Sequence, residues 1–191
     1  MPDSPELVSE KAILRTVLLA RRASRTAEQR AAAADALAAV LATRLAGAAV
    51  VAAYVPGAEE PGYGRLPDAL PGRVLLPVVP ARGRELSWAE HVGRLATGRF
   101  GLQEPTGPRL PPTALATADV VVVPALAVAV DGTRLGRGGG YYDRALAHAR
   151  DDAVLVAAVF DEELLESVPA GAHDRRVTAV VTPSAGWRQL G

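Results

Sequence analysis

Apolar and polar residues follow two different periods along this chain, and the N-terminal part follows the helical one. Ser4 and Pro5 have the types favoured at a helix N-cap and at the first helical position, and apolar residues then recur at helical spacing. Thr26 and Gln29 have the spacing of a capping box, which predicts a second helix ending near Gly47. The pattern thus predicts two helices before the first strand.

Short apolar runs dominate the rest of the chain. The predicted strands are "AAVVAAYVP", "GRVLLPVVP", "RELSWAE" (at a sheet edge), "DVVVVPALAV", "AVLVAAVF" and "RRVTAVVT". Short helices are expected over residues 64–70 and 142–149 and over "TALATA" and "DEELLESV", whereas residues 93–112 show no periodicity. Four consecutive valines indicate burial on both faces, as in a parallel sheet. This order predicts an α/β fold in one domain over residues 1–191, with three layers, a mainly parallel Rossmann-like sheet and helices on both faces.

Charge and composition narrow the class of partner. The 21 Lys and Arg residues balance the 21 Asp and Glu residues, so no net field attracts nucleic acid or an anionic membrane. No run approaches the roughly 20 apolar residues of a membrane helix, and the order of charges does not match a signal peptide. The absence of cysteine excludes disulfides and thiolate metal sites. We therefore expect a cytoplasmic monomer that binds small molecules, not nucleic acid or membranes.

One segment, "RLGRGGGYYDRAL" (residues 134–146), concentrates glycine and arginine before a predicted helix. Gly138–Gly140 can turn backbone N–H groups toward one point and admit a phosphate closely. The helix would add its N-terminal dipole, and Arg134 and Arg137 supply forked donors. Asp143 would repel a phosphate unless a cation lay between them, which indicates Mg²⁺.

Two standard nucleotide motifs do not match this segment. A Walker A loop requires a lysine, and the segment has none. The fingerprint G-x-G-x-x-G begins at Gly136 and Gly138 but has Tyr141 in place of its last glycine. The residues alone leave two interpretations: a phosphate loop of another kind, or a tight turn beside exposed arginines. Lys11, the only lysine in the chain, is likewise either a selected ammonium group or an incidental solvated residue.

The longer segment "VPALAVAVDGTRLGRGGGYYDRAL" closely resembles the signature of the 5-formyltetrahydrofolate cyclo-ligase family, also called 5,10-methenyltetrahydrofolate synthetases. Its glycine-rich half matches residue for residue. Weaker resemblances occur in the family's order in "EKAILRTVLLARR", "VAAYVPGAEEPG", "RVLLPVV", "FGLQEP" and "VPAGAHDRRVTAVVTP". Ala125 and Val130 depart from the signature, which usually has Gly and an aromatic residue there, and they affect the turn before the loop.

The resemblance implies a reaction in which ATP and 5-formyltetrahydrofolate give 5,10-methenyltetrahydrofolate, ADP and phosphate, with Mg²⁺. ATP would phosphorylate the formyl oxygen and so turn a poor leaving group into a good one. N10 of the folate would then attack the formyl carbon, and phosphate would leave. Catalysis of this kind depends mainly on positioning and charge stabilisation.

The resemblance also implies a role for each matching residue. Arg137 and Lys11 would be catalytic, with Arg137 reaching the transferred phosphoryl group and the formyl oxygen. The implied ATP site comprises Lys11, Arg15, Arg134, Leu135, Gly136, Arg137, Gly138, Gly139, Gly140, Tyr141 and Tyr142. The implied folate site comprises Val55, Glu60, Trp88, Phe100, Arg137, Gly138, Gly139, Gly140 and Tyr141. Glu60 would accept hydrogen bonds from the pterin, and Asp143 and Asp174 would bind Mg²⁺.

Plainer interpretations remain open at several of these positions. Glu60 is otherwise a solvated loop carboxylate, Trp88 and Phe100 are otherwise packing residues, and Asp174 otherwise caps the last strand or pairs with a neighbouring arginine. Two other functions also remain open. One is a small-molecule phosphotransferase with a different acceptor; the other is a non-catalytic nucleotide- or folate-binding relative.

Overall fold

The computed structural model describes residues 4–171 and 175–191. It begins with two helices, α1 (Pro5–Ala23) and α2 (Ala27–Arg44). The Ser4 hydroxyl accepts a hydrogen bond from the Leu7 N–H at 3.2 Å, and the capping box at the start of α2 is formed in both directions. Both predicted helix starts are therefore confirmed, and α2 ends slightly earlier than predicted. None of the helices in the described ranges combines the length and apolar character needed to cross a bilayer.

The remaining elements are mostly short strands. The described strands are β1 (Val50–Ala52), β2 (Arg73–Val78), β3 (Ser87–Glu90), β4 (Leu95–Thr97), β5 (Gln103–Pro105), β6 (Arg109–Leu110), β7 (Val120–Pro124), β8 (Ala127–Ala129), β9 (Arg134–Leu135), β10 (Val154–Ala158), β11 (Leu164–Leu165), β12 (Ala179–Thr182) and β13 (Gly186–Gln189). A third helix, α3, covers Tyr141–Ala145, and single 3₁₀ segments cover Arg99–Gly101, Pro112–Thr117, Leu146–His148 and Asp161–Glu163.

Eight strands form one sheet in the order β13-β12-β10-β7-β1-β2-β3-β6. The five strands from β12 to β2 are parallel to their neighbours within that group, and the antiparallel strands β13, β3 and β6 extend the sheet at its two sides. The prediction of an α/β fold with a large, mainly parallel sheet is confirmed. The strand "RELSWAE" lies one position inside the edge, because β6 pairs outside it.

Both faces of the central sheet are covered, as the valine run indicated. Val120 and Val122 of β7 pack in one apolar cluster with α2, whereas Val121 and Val123 pack in a second cluster with α3 and the 3₁₀ segments. Successive side chains of a strand point to opposite faces, so four adjacent valines supply both clusters. This burial fixes β7 in the middle of the sheet.

A smaller sheet, in the order β11-β8-β9, lies under α1. Leu18 of α1 packs there with Leu126, Ala127 and Leu135. The glycine loop, residues 136–140, leaves this small sheet at the end of β9. Strands β8 and β9 therefore separate the glycine loop from the valine strand β7 along the chain.

Two predicted helices are wrong. Residues 64–70 form consecutive turns, because Pro67 disfavours helical backbone at the residue before it. "DEELLESV" forms one 3₁₀ segment and then β11, with the Phe160 N–H donating to the Glu163 carboxylate at 2.9 Å. The predicted loop over residues 93–112 contains the hairpin of β4 and β5, and β13 was not predicted.

Candidate active site

Helix α1 contacts the glycine loop through Arg15. Its Nε donates to the Gly136 carbonyl oxygen at 2.9 Å. Gly138 has φ +91°, and a Cβ there would lie 3.2 Å from Arg15 Cζ, so the missing side chain lets the guanidinium pack over the loop. Lys11 lies one turn earlier on the same face of α1 and is buried. Its burial excludes the interpretation of Lys11 as an incidental solvated residue.

Arg137 links the glycine loop to the loop that follows β1. Its Nε donates to Glu60 Oε1 at 3.0 Å, and the second Glu60 oxygen accepts from the Gly57 N–H at 2.8 Å. The Glu60 side chain is 14% exposed, whereas that of Arg137 is 54% exposed. Glu60 is therefore a held carboxylate rather than a freely solvated one, and the structure brings it together with Arg137.

Arg134 lies beneath the loop and pairs with Asp143. The Arg134 side chain is 4% exposed, and its Nη2 contacts the Asp143 carboxylate, which is 43% exposed. Arg134 is thus not one of the exposed arginines of a simple turn. Asp143 neutralises it and at the same time presents a carboxylate at the edge of the glycine loop.

Two arginines that the sequence analysis did not single out lie near Gly140. Arg144 donates to the Gly140 carbonyl oxygen at 2.9 Å, and Arg84 Nη1 lies 3.8 Å from where a Cβ of Gly140 would be. Arg144 has a local signal, since it follows Gly140 by one helical turn. Arg84 has none, because it lies in the turn between β2 and β3 and only the fold brings it here. A set of five arginines therefore surrounds the loop: Arg15, Arg84, Arg134, Arg137 and Arg144.

The tyrosines and Leu135 contribute in different ways. Tyr141 starts α3 and is half-buried, whereas Tyr142 contacts both apolar clusters of the large sheet. Burial, with Tyr54 and Glu60 nearby, raises the pKa of the Tyr142 hydroxyl, which therefore stays protonated. The Leu135 side chain is buried under α1, so only its backbone can face the loop. α3 has five residues, not the eight predicted, so its dipole adds little here.

The apolar side chains expected in the folate site differ in how far a ligand could reach them. Val55 is half-buried in the segment that carries Glu60. Phe100 lies at the tip of the β4–β5 hairpin with 75% of its surface exposed. Trp88 is completely buried, in the apolar cluster on one face of the sheet. Trp88 therefore offers no surface to a ligand in this structure and serves as a packing residue.

Of the two predicted Mg²⁺ ligands, only Asp143 lies within the described residues. The second predicted ligand, Asp174, lies outside the described residues. Across residues 4–171 and 175–191, no three His, Cys, Asp or Glu side chains are close enough to hold a metal ion together. Mg²⁺ commonly binds one or two carboxylates and completes its shell with water and substrate phosphates. Asp143, beside a loop suited to phosphate, fits that kind of binding.

These features together define an α/β protein with an arginine-ringed glycine loop suited to phosphate. Residues 8–183 match the 5-formyltetrahydrofolate cyclo-ligase family, and the chain belongs to that family. It is 45% identical to the 5-formyltetrahydrofolate cyclo-ligase of Mycolicibacterium smegmatis over 184 residues, which cover 92% of this chain and 95% of the relative.

Two solved structures are similar to this chain. The 5,10-methenyltetrahydrofolate synthetase of Aquifex aeolicus superposes with a TM-score of 0.74 at 29% identity, covering 94% of this chain and 92% of that one. The 5,10-methenyltetrahydrofolate synthetase of Mycoplasma pneumoniae superposes with a TM-score of 0.69 at 18% identity, covering 90% and 97%. The second likeness shows the fold alone.

Proposed function

We propose that this chain catalyses the ATP-dependent cyclisation of 5-formyltetrahydrofolate to 5,10-methenyltetrahydrofolate, with release of ADP and phosphate. The observation that carries the proposal is the contact between Arg137 and Glu60. It joins a phosphate-type loop to a carboxylate suited to a heterocycle within one site. Membership of a family named for this activity supports the same conclusion.

The glycine loop and the cations around it form the ATP side of the proposed site. Lys11 and Arg15 on α1 would neutralise phosphate oxygens together with the backbone N–H groups of residues 136–140, and the buried Arg134, paired with Asp143, would support the loop from behind. Phosphoryl transfer needs aligned groups and charge stabilisation more than covalent help from the protein. When bound at Asp143, Mg²⁺ would supply further neutralisation of the phosphates.

Glu60, with Val55 and Phe100, forms the folate side. A carboxylate accepts two N–H donors well, and a pterin presents an amino group and a ring N–H as such a pair. Arg137 and the Gly57 N–H each donate to one Glu60 oxygen, and a pterin that binds Glu60 would take the place of Arg137, the more exposed of these two donors. The exchange would cost little, because the pair is open to solvent on its Arg137 side and exposed ion pairs contribute about 0–1 kcal/mol. The released guanidinium would then contact the formyl oxygen and the transferred phosphoryl group.

The proposed chemistry proceeds in two steps. The formyl oxygen attacks the terminal phosphorus of ATP, the bond to ADP breaks, and an N5-iminium phosphate forms. N10 then attacks the formyl carbon, loses its proton, and inorganic phosphate departs with the former formyl oxygen. Arg137 would stabilise charge on that oxygen, and Lys11 charge on the phosphates.

We also propose three further properties. The apolar clusters on both faces of the large sheet support a three-layer, Rossmann-like description. Monomeric state and cytoplasmic location stay predictions from the sequence. Analytical gel filtration would check the monomeric state, and cell fractionation would check the location.

The direct test is the near-ultraviolet absorbance of the methenyl product, followed with 5-formyltetrahydrofolate, ATP and Mg²⁺ and with each omitted in turn. We expect a rise that requires both ATP and Mg²⁺. Arg137→Ala should abolish it, whereas Arg188→Ala, on the exposed side of β13, should leave it unchanged. A flat trace from folded, ATP-binding protein would contradict the proposal and favour a phosphotransferase with another acceptor.

A further inference from the structure

One face of α1 carries a continuous stripe of four residues: Lys11, Arg15, Leu18 and Arg22. They follow at the helical intervals i, i+4, i+7 and i+11, so they point the same way. Leu18 packs on the small sheet, and Arg15 bonds to the glycine loop. The stripe ends at Arg22, which lies far from the loop along the helix.

Arg22 is held by a buried fork of hydrogen bonds. Its Nε donates to Glu163 Oε1 at 2.7 Å and its Nη2 to Glu163 Oε2 at 2.8 Å. Nη2 also donates to the Ala125 carbonyl oxygen at 2.7 Å. Arg22 and Glu163 are each 1% exposed. The Glu163 carboxylate also accepts from the Phe160 N–H at 2.9 Å, so its own orientation is fixed.

Stability alone does not explain this pair. Replacing a buried ion pair by apolar residues of similar volume is often neutral or stabilising, by about 1–4 kcal/mol. A planar fork restricts the relative position of two segments more tightly than apolar contacts do, because its hydrogen bonds are directional and tolerate little sliding or rotation. The pair is therefore suited to fixing the position of α1.

The carbonyl that Arg22 binds belongs to the segment that leads into the glycine loop. Ala125 lies between β7 and β8, and β8 pairs with β9 through Ala127 and Leu135. Leu135 directly precedes Gly136, the residue that Arg15 binds. Arg15 and Arg22 are seven residues apart, or about 10 Å along the helix. Two points, the Ala125 and Gly136 carbonyls, thus dock α1 against one strand pair.

We propose that Arg22, together with Glu163, is a positioning residue for the reaction. It fixes the axial position and rotation of α1 so that Lys11 and Arg15 meet the phosphates at the glycine loop. It touches no substrate and acts through those two cations. The inference rests on the proposed function and adds a residue pair outside the proposed ATP and folate sites.

The test compares wild type with Arg22→Met/Glu163→Leu, which removes both charges and keeps the buried volume. The matched control is Arg25→Met/Glu162→Leu, which removes the neighbouring, less buried ion pair between the turn after α1 and the same 3₁₀ segment. Calorimetry measures the Kd of a non-hydrolysable ATP analogue, and kinetics measure KM for ATP and for folate. We expect the buried double variant to unfold cooperatively but to bind the analogue about tenfold more weakly. Its folate KM and all values of the control should stay within about twofold.

Wild-type affinity for the analogue in the buried double variant would overturn the proposal. If that variant does not fold, Arg22→Lys keeps the charge without the fork, and it should show the same selective loss for ATP. Wild-type ATP affinity in Arg22→Lys would equally overturn it. Failure of the proposed function looks different, because the wild type would then bind the analogue but form no methenyl product, and the Kd comparison would still decide the role of Arg22. A wild type that binds no analogue would overturn both.

Discussion

Arg137 and Glu60 each have a proposed ligand, and in the described structure the two side chains are paired with each other. Their side chains are 54% and 14% exposed, so their pairing lies at the surface end of the site. A pair of this kind is easily exchanged for substrate contacts. On the proposed function, the contact would be a resting arrangement that holds the proposed phosphate and pterin sides next to each other.

Glu60→Gln tests the pterin role of this carboxylate. The amide keeps one acceptor oxygen but loses the charge and adds donors that face the pterin N–H groups. We expect the folate KM to rise about tenfold or more, since hydrogen bonds to a charged group contribute about 1.5–3 kcal/mol. The Kd for ATP should change less than about fivefold, because only a weak ion pair is lost. Glu59→Gln, the exposed neighbour, is the control, and an unchanged folate KM in Glu60→Gln would contradict the assignment.

Phe100 offers a second test of a single side chain in the proposed folate site. Its φ of +56° and ψ of +21° place a bulky residue in the left-handed region, yet its ring is exposed. Such a conformation costs about 1–2 kcal/mol, which indicates a role beyond stability. We expect Phe100→Gly to increase the free energy of unfolding by about 1 kcal/mol and to raise the folate KM.

Phe100→Ala separates these two effects. It removes the ring but keeps a Cβ in the strained conformation, so it should raise the folate KM equally without the gain in stability. Urea unfolding and steady-state kinetics on both variants check this. A folate KM unchanged in both variants would remove Phe100 from the folate site.

The glycine loop depends on the close approach of the Arg15 guanidinium to the backbone of Gly138. Gly138→Ala would place a Cβ 3.2 Å from Arg15 Cζ at a φ of +91°. Gly64 also has positive φ, +75°, but nothing lies near its missing side chain, so Gly64→Ala reports backbone strain alone. We expect both variants to lose about 1 kcal/mol of stability, and Gly138→Ala alone to weaken ATP binding about tenfold or more.

Calorimetric titration with a non-hydrolysable ATP analogue makes this comparison. Equal affinities of Gly138→Ala and Gly64→Ala would show that contact between Arg15 and the loop is not needed for phosphate binding. The two variants share the same chemical change, so the comparison isolates the position.

Elements set by local chemistry could be predicted from the sequence, and elements set by distant partners could not. The caps of α1 and α2 depend on residues three apart, and the valines of β7 show their burial directly. The segment after Phe160 has a helical pattern, but Glu163 turns inward to Arg22, a partner 141 residues away. No local signal encodes that pairing.

The same distinction applies to the candidate site. The glycine loop is a contiguous motif and can be recognised in the sequence. The spacing of four residues between Lys11 and Arg15 can be recognised too, and it places both on one helix face. The position of Arg84 near Gly140 follows only from the fold. The resemblance implies a folate contact for Trp88, with packing as the alternative, and pairing of β3 with β2 places the side chain in the core.

In the whole molecule, the candidate site lies beyond the carboxyl ends of the parallel strands. Glu60 follows β1, and the glycine loop reaches it from the small sheet through Arg137. Segments beyond the carboxyl ends of parallel strands form the usual binding crevice of α/β folds. At the opposite, amino ends of these strands, Asp119 accepts hydrogen bonds from the backbone at the start of β1 and itself precedes β7.

Asp119 gives a prediction for stability against pH. Hydrogen bonds from the backbone N–H groups of Val50 and Ala49 hold the pKa of its carboxyl below the ordinary 3.8. A lowered pKa in the folded state means that the carboxylate stabilises the fold above about pH 4 and loses this effect as the pH falls through the folded pKa. We expect Asp119→Asn to be less stable than wild type at neutral pH, with the difference shrinking below pH 4.

Urea unfolding of both proteins at neutral pH and at about pH 3 measures this difference. Glu59→Gln, which changes an exposed acid, should match wild type at neutral pH. A stability difference for Asp119→Asn that stayed constant across this range would show that the charge of Asp119 does not stabilise the junction of β1 and β7.

If one site brings the terminal phosphate of ATP to the formyl oxygen of the folate, that oxygen leaves with the phosphate. We therefore expect 5-formyltetrahydrofolate labelled with ¹⁸O in the formyl group, together with ATP and Mg²⁺, to give inorganic phosphate that carries one ¹⁸O for each methenyl product formed, as measured by mass spectrometry. Methenyl product accompanied by unlabelled phosphate, or formed without ATP, would contradict it.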